Sequence, residues 1–276
     1  MRNRYVCIIL LNISVLFFTA CSNKIPSLNE RKDLAYSLIN DKNIIQEDIN
    51  TNHFNLFSFQ KISNSCKDSI KVYVEGDGLS WISRNTISSN PTPINPVALK
   101  LMLQDNSSCK IYIARPCQYI NSNLCEDKYW TSHRFNLKII NAYEEALNII
   151  KNKYSNKTFD LIGYSGGGAI VTIIASIRDD INSVTTIAGN LDIEKWSKIK
   201  NISKLNGSLN PIDFTSKIEN IKQYHLIGSK DNIIPKDIFF SYKNRFKNQD
   251  KIKYFIYETN HNNWENIYKE YLNIGN

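Results

Sequence analysis

Ser165 stands in the string Gly163-Tyr164-Ser165-Gly166-Gly167, between an apolar run that reads as a strand and an almost wholly apolar stretch that reads as a buried helix. A serine on a sharp strand-to-helix turn is exposed for nucleophilic attack, and the glycines two positions on either side leave room for that turn. A hydroxyl attacks a carbonyl efficiently only if a base removes its proton and a third group orients the base. Two later loops each offer one such partner. Lys230-Asp231-Asn232 follows the apolar run 224–229, and Asn260-His261-Asn262 follows the run 253–258. His261 is one of four histidines in the chain. The order serine, acid, histidine, each at the end of a predicted strand, points to Ser165 as nucleophile, His261 as general base and acid, and Asp231 as the orienting carboxylate. Asp192, after the preceding strand, is the alternative acid. The Gly166 N–H is one expected oxyanion donor; the second is expected from the loop Glu75–Gly78, at Asp77 or Gly78. A competing reading makes Gly163, Gly166 and Gly168 a dinucleotide or phosphate loop. It is disfavoured because the turn lies mid-chain and not in the first strand–helix unit. The plainest alternative is a glycine-rich turn in which the serine has no chemistry.

The elements that must hold these residues follow from hydrophobic patterning. Short β-branched runs at 70–76, 110–116, 159–165, 183–189, 224–229 and 253–258 read as strands, several of them apolar throughout, as strands covered on both faces are. Helical patterns separate them at 96–104, 133–154, 167–178, 237–246 and 263–272. In the second of these, Phe135, Ile139, Ala142, Ala146 and Ile149 are expected along one buried face. Strand–helix alternation predicts a mostly parallel central sheet with helices on both faces, and no segment is long enough for a large cap domain. The expected division is a signal peptide over 1–20, a tether with a short amphipathic helix over 21–56, and one catalytic domain over 57–276. Two long loops, 76–95 and 116–132, are placed to border a pocket. Arg84, Arg115 and Arg134 could meet an acidic substrate there, although single arginines more often form surface pairs.

The N-terminus has Arg2 and Arg4, an apolar run from Tyr5 to Phe18, and then Thr19-Ala20-Cys21. This is a signal-peptide layout, and a cysteine directly after Thr-Ala resembles a bacterial lipobox. Cleavage before Cys21 and lipidation of Cys21 are expected, with Ser22 resembling a signal for outer-membrane sorting. Export implies an oxidising compartment, so Cys66, Cys109, Cys117 and Cys125 are expected to form disulfides. Three pairings exist; Cys66–Cys109 and Cys117–Cys125 are favoured. The cysteine spacing is not that of a zinc site, and neither metal nor cofactor is expected. The net charge of +8 comes from lysines and arginines scattered among acids, without the basic, aromatic-interleaved stripe of a nucleic-acid binder.

From about residue 70 to 272 the chain resembles the α/β-hydrolase fold, and more narrowly a set of bacterial α/β-hydrolase lipoproteins of unassigned substrate. The strings that carry the resemblance are YVEGDG (73–78), NPTPINP (90–96), ARPCQY (114–119) with Cys125 and Trp130, GYSGGGA (163–169), and TIAGNLD (186–192) with Trp196. Many relatives have His-Gly where this chain has Glu75-Gly76, which leaves the second oxyanion donor open. The resemblance implies a hydrolase and supplies no substrate. A monomeric, membrane-anchored hydrolase of small or lipid-like esters or thioesters is expected. A peptidase, an acyltransferase, and an inactive binding lipoprotein of the same fold stay open.

Overall fold

The computed structural model describes residues 24–40, 43–63, 66–120 and 122–274. Cys21 and the expected signal segment 1–20 lie outside the described residues. Eight strands form the central sheet: β1 (Ile45–Gln46), β2 (Ser58–Ile62), β3 (Ser69–Val74), β4 (Cys109–Ile113), β5 (Thr158–Tyr164), β6 (Ile181–Ile187), β7 (Lys222–Gly228) and β8 (Ile252–Tyr257). Their order across the sheet is β1-β2-β4-β3-β5-β6-β7-β8. β1 and β2 pair antiparallel, as do β2 and β4, and every other neighbouring pair is parallel. The six strands expected from β-branched runs are all present. β1 and β2 were not anticipated, because Ser58-Phe59-Gln60-Lys61 mixes polar and apolar residues without a strong run. The sheet thus reaches upstream of residue 57, and Ile49, Phe54 and Leu56 are core residues.

Side-chain alternation along each strand divides the core between two faces. Ile70, Val72 and Val74 of β3 point to one face with Ile111 and Ile113 of β4, whereas Tyr73 and Tyr112 point to the other. The first face is covered by α3 (Leu137–Tyr154), α4 (Gly166–Ala175) and α6 (Lys236–Lys243). The second is covered by α1 (Leu28–Ile39), α2 (Val97–Gln104) and the segment from Trp264 into α7 (Glu265–Ile274). All ten residues of α4 are buried, which explains why that stretch is apolar all round. In α3 the buried stripe runs through Ile139, Ala142, Ala146 and Ile150; Ile149, expected inside, is 40% exposed. The helix starts later than the sequence pattern implied, at Leu137 with Asn136 as its N-cap, so Phe135 enters the core from the preceding turn and shifts the phase. One further helix, α5 (Ile193–Lys200), follows β6.

Two disulfides join Cys66 to Cys109 and Cys117 to Cys125, the favoured pairing. The first links the turn that leads into β3 to the first residue of β4; the second closes a short loop after β4. In the chain-entropy picture they restrict the unfolded state by about 4 and about 2.5 kcal/mol respectively.

β3 pairs with β4 on one side and β5 on the other, so the chain passes back over β3 on its way from β4 to β5. At such a reversal the loops beyond the strand ends diverge and leave a crevice. The loop after β3 and the turn after β5 meet there.

Candidate active site

Ser165 joins β5 to α4 with φ of 51° and ψ of −116°, a strained conformation for a residue with a side chain. The turn is held by Ser165 N–H donating to the Ile187 carbonyl (2.9 Å) and by the Ser165 carbonyl accepting from Gly168 N–H (3.0 Å) and Asn190 N–H (3.1 Å). No side chain fits where Gly163 and Gly167 stand. A Cβ on Gly163 would lie 2.3 Å from the Gly167 carbonyl oxygen, and one on Gly167 would lie 2.2 Å from that of Val74. The second glycine thus lets the elbow press against the end of β3.

The end of β7 places Asp231, and the loop after β8 places His261. His261 Nδ1 is 2.8 Å from Asp231 Oδ2, and its Nε2 is 3.0 Å from Ser165 Oγ. The Asp231 side chain is fully buried, and its other oxygen, Oδ1, accepts from Ile233 N–H and Ile234 N–H, each at 2.8 Å. These bonds fix the carboxylate, which in turn selects the tautomer with hydrogen on Nδ1 and a lone pair on Nε2 toward the serine. The His261 carbonyl accepts from Tyr164 Oη and Trp264 Nε1, both at 2.9 Å. Trp264 is completely buried, so the histidine loop is anchored in the core by a residue three positions on. The structure therefore brings Ser165, Asp231 and His261 together. Asp192 is engaged elsewhere: its Oδ1 caps α5 through Lys195 N–H (3.0 Å), and its Oδ2 accepts from Ser241 Oγ (2.7 Å).

The loop after β3 packs directly on the serine turn. A Cβ on Gly76 would lie 3.3 Å from Ser165 Cβ, and one on Gly166 would lie 2.2 Å from Asp77 Oδ1. Asp77 is clamped by two guanidinium groups, Arg115 Nη1 at 2.8 Å and Arg134 Nη1 at 2.7 Å. Both arginines are buried. Arg115 lies over the Phe135 ring and donates to the Arg134 carbonyl, and Arg134 lies over the Trp196 ring. The expectation of arginines in surface pairs is thus corrected for these two, because both are buried and reach the same carboxylate; Arg84 is exposed and makes no ion pair among the described residues. Burial by itself would raise the Asp77 carboxyl, but the charges of Arg134 and Arg115 outweigh it and hold the group below the usual carboxylate range.

Glu75, two residues earlier, is also buried and has no cation beside it. Its Oε1 accepts from Gly76 N–H (2.9 Å) and Ala98 N–H (3.3 Å), and its Oε2 accepts from Tyr112 Oη (3.2 Å). α2 starts after Pro96, which offers no side-chain cap, so Glu75 satisfies a donor at that helix start from a distance. Burial raises its pKa to about 7 despite these bonds. Sequence reasoning assigned Glu75 no role. The available signal was an acid directly after the apolar run Val72-Tyr73-Val74 at the end of a buried strand.

A cavity of about 1300 Å³ opens beside Ser165 and His261, bordered by the 76–95 loop, Thr131 to Arg134, Trp196 and the stretch from Lys200 to Leu205. Of the second loop's aromatics, Tyr129 packs against Phe54, and Trp130 has its indole N–H on the Ser88 carbonyl.

No protein-family model matches the sequence, and no curated protein matches it. Solved structures do resemble it. An esterase of Pyrococcus furiosus (Pf2001) superposes with a TM-score of 0.61 at 14% identity, covering 84% of this chain and 90% of that one. Est1E of Butyrivibrio proteoclasticus gives 0.59 at 12% identity, covering 83% and 96%. A protein of Xanthomonas campestris described as an α/β serine hydrolase without a lid gives 0.54 at 10% identity, covering 84% and 93%. With that likeness and with the strand order above, the protein has the α/β-hydrolase fold, with a mostly parallel eight-stranded sheet between two helical layers.

Proposed function

We propose that this protein is a serine hydrolase that cleaves carboxylic esters or thioesters through an acyl-enzyme. One observation carries the reading: the imidazole of His261 bridges Ser165 Oγ and Asp231 Oδ2 at hydrogen-bond distance on both sides. In the first half-reaction Ser165 Oγ attacks the carbonyl carbon while His261 Nε2 takes its proton. The resulting imidazolium is stabilised by Asp231 and then protonates the leaving alcohol or thiol. Water repeats the sequence on the acyl-enzyme and frees the acid. The developing oxyanion is received by the Gly166 N–H, at the unsatisfied start of α4, and by the Asp77 N–H on the adjacent loop. Clamping Asp77 between two arginines fixes that loop before substrate arrives, so little reorganisation is needed during the reaction. Structural neighbours named as esterases favour the ester chemistry within this fold.

The layout before Cys21 and the two disulfides support a lipid-anchored protein of the bacterial envelope, outer membrane facing the periplasm. One experiment tests both parts. A fluorophosphonate probe applied to cells and followed by fractionation should label the protein in the membrane fraction. Ser165→Ala should remove the label and lower ester turnover by about a thousandfold or more, and Cys21→Ser should move the label to the soluble fraction. Undiminished turnover in folded Ser165→Ala would end the hydrolase reading.

A further inference from the structure

The cavity beside Ser165 has an uneven charge balance. Four of its lining residues are cations, Arg84, Arg134, Lys200 and Lys204, and two are acids, Glu75 and Asp77. The acids are already spoken for. Asp77 sits between Arg115 and Arg134, so two positive charges face one negative charge at the cavity base. Glu75 is turned to Gly76, Ala98 and Tyr112, and its burial keeps it only partly ionised near neutrality. The cations are not balanced in the same way. Arg84 and Lys204 are exposed and make no ion pair or hydrogen bond among the described residues. Lys200 donates only to the Asn232 carbonyl (2.7 Å). Arg134 uses Nε on the Thr131 carbonyl and Nη1 on Asp77, which leaves Nη2 without a protein partner. Some lysines elsewhere on the surface meet carboxylates, as Lys100 does with Glu265 (3.1 Å) and Lys230 with Glu258 (2.6 Å), whereas Arg84, Lys200 and Lys204 gather at one cavity with none.

These four cations come from three separate segments, the 81–87 hairpin, the turn before α3, and the end of α5 with its following loop. Gathering like charges around one cavity is unfavourable unless an anion enters it, and low-dielectric walls focus the field they create. Apolar side chains, Trp81, Ile94, Ile202 and Ile233, share the border, so the remainder of the ligand is apolar. We propose that the natural ester is an acid ester, one that carries an anionic group such as a carboxylate away from the scissile carbonyl, with that group held by Arg134, Arg84, Lys200 and Lys204. This rests on the hydrolase reading above and narrows it to a substrate class.

Matched ester pairs test it. The para-nitrophenyl hemiester of glutaric acid is compared with para-nitrophenyl valerate for an anion on the acyl side. Para-acetoxybenzoate is compared with para-acetoxybenzamide for an anion on the alcohol side. In at least one pair kcat/KM should favour the anion by about tenfold at low salt, and the preference should shrink in high salt as screening grows. The variant Arg84→Ala/Lys204→Ala removes two exposed side chains, and it should bring the ratio of anionic to neutral turnover toward one. If neutral esters are cleaved equally well or better in both pairs, the charge inference is overturned while the hydrolase reading stands. A preference that survives in the double variant overturns the assignment to these cations. If no ester is cleaved and Ser165 takes no fluorophosphonate label, the hydrolase reading fails and this inference fails with it.

Discussion

Glu75 and Asp77 lie two residues apart in one loop, Glu75 buried and Asp77 largely so, and their carboxyl groups behave in opposite ways. Asp77 faces the cavity side and meets two guanidinium groups, which stabilise its charge more than burial disfavours it. Glu75 turns its carboxylate toward Tyr112 and the start of α2, where backbone amides and a phenol donate to it but no cation approaches, and burial prevails. The side of the strand end decides which effect wins. One consequence is a loop anchored twice beside Ser165, by an ion cluster on one side and by the start of α2 on the other.

The difference has a sign in pH. A carboxyl held below its ordinary pKa in the native state contributes stability above the ordinary carboxylate range, and that contribution is lost as pH falls through the native value. A carboxyl held above it contributes below its ordinary value, and that contribution is lost as pH rises to the native value. Asp77 is the first case and Glu75 the second.

The largest way to break the contrast is Asp77→Asn. It leaves Arg115 and Arg134 buried side by side without their shared anion and should cost about 3–5 kcal/mol. Denaturant unfolding at neutral pH checks this, and a variant within about 1 kcal/mol of the parent would mean that the cluster contributes little. The next is Glu75→Gln. In the parent, Glu75 should remove about 3 kcal/mol of stability as pH rises from its ordinary value of 4.5 to about 7. Unfolding free energies measured across that range should therefore converge between parent and variant at low pH and separate in favour of the variant near neutrality. Parallel curves would show that Glu75 is ionised throughout. The smallest is Tyr112→Phe, which removes one donor to Glu75 Oε2 and should cost about 1 kcal/mol. It should also move the Glu75 transition to still higher pH, because the lost bond favoured the ionised form. A transition moving downward in the same titration would contradict that.

How much of this was legible before folding differs from residue to residue. The central strands were visible because a strand covered on both faces must be largely apolar, which is a local property; β8, an edge strand with a partly exposed pattern, was visible from its run of aromatic and β-branched residues, Tyr254 to Tyr257. Antiparallel β2 was not, since Gln60 and Lys61 interrupt its apolar pattern. The serine turn was visible because its glycines are required within two residues of Ser165. Asp231 and His261 were candidates through chain order and their places at strand ends, which favoured Asp231 over Asp192 without excluding the latter. What separates the two acids is that Asp192 caps α5 and bonds Ser241, a residue 49 positions away. Arg115 and Arg134 looked like ordinary surface arginines because nothing within the sequence window revealed that both converge on Asp77.

The sequence by itself determined six of the eight sheet strands, most of the helices, the sharp turn at Ser165 and the set of side chains able to move a proton, because periodicity and turn geometry act over a few residues. Only the tertiary structure decided which acid meets His261, which of two neighbouring carboxyls keeps its charge, and where unpaired cations gather. Those outcomes depend on solvent exclusion and on charges tens to hundreds of residues apart, which no local pattern encodes.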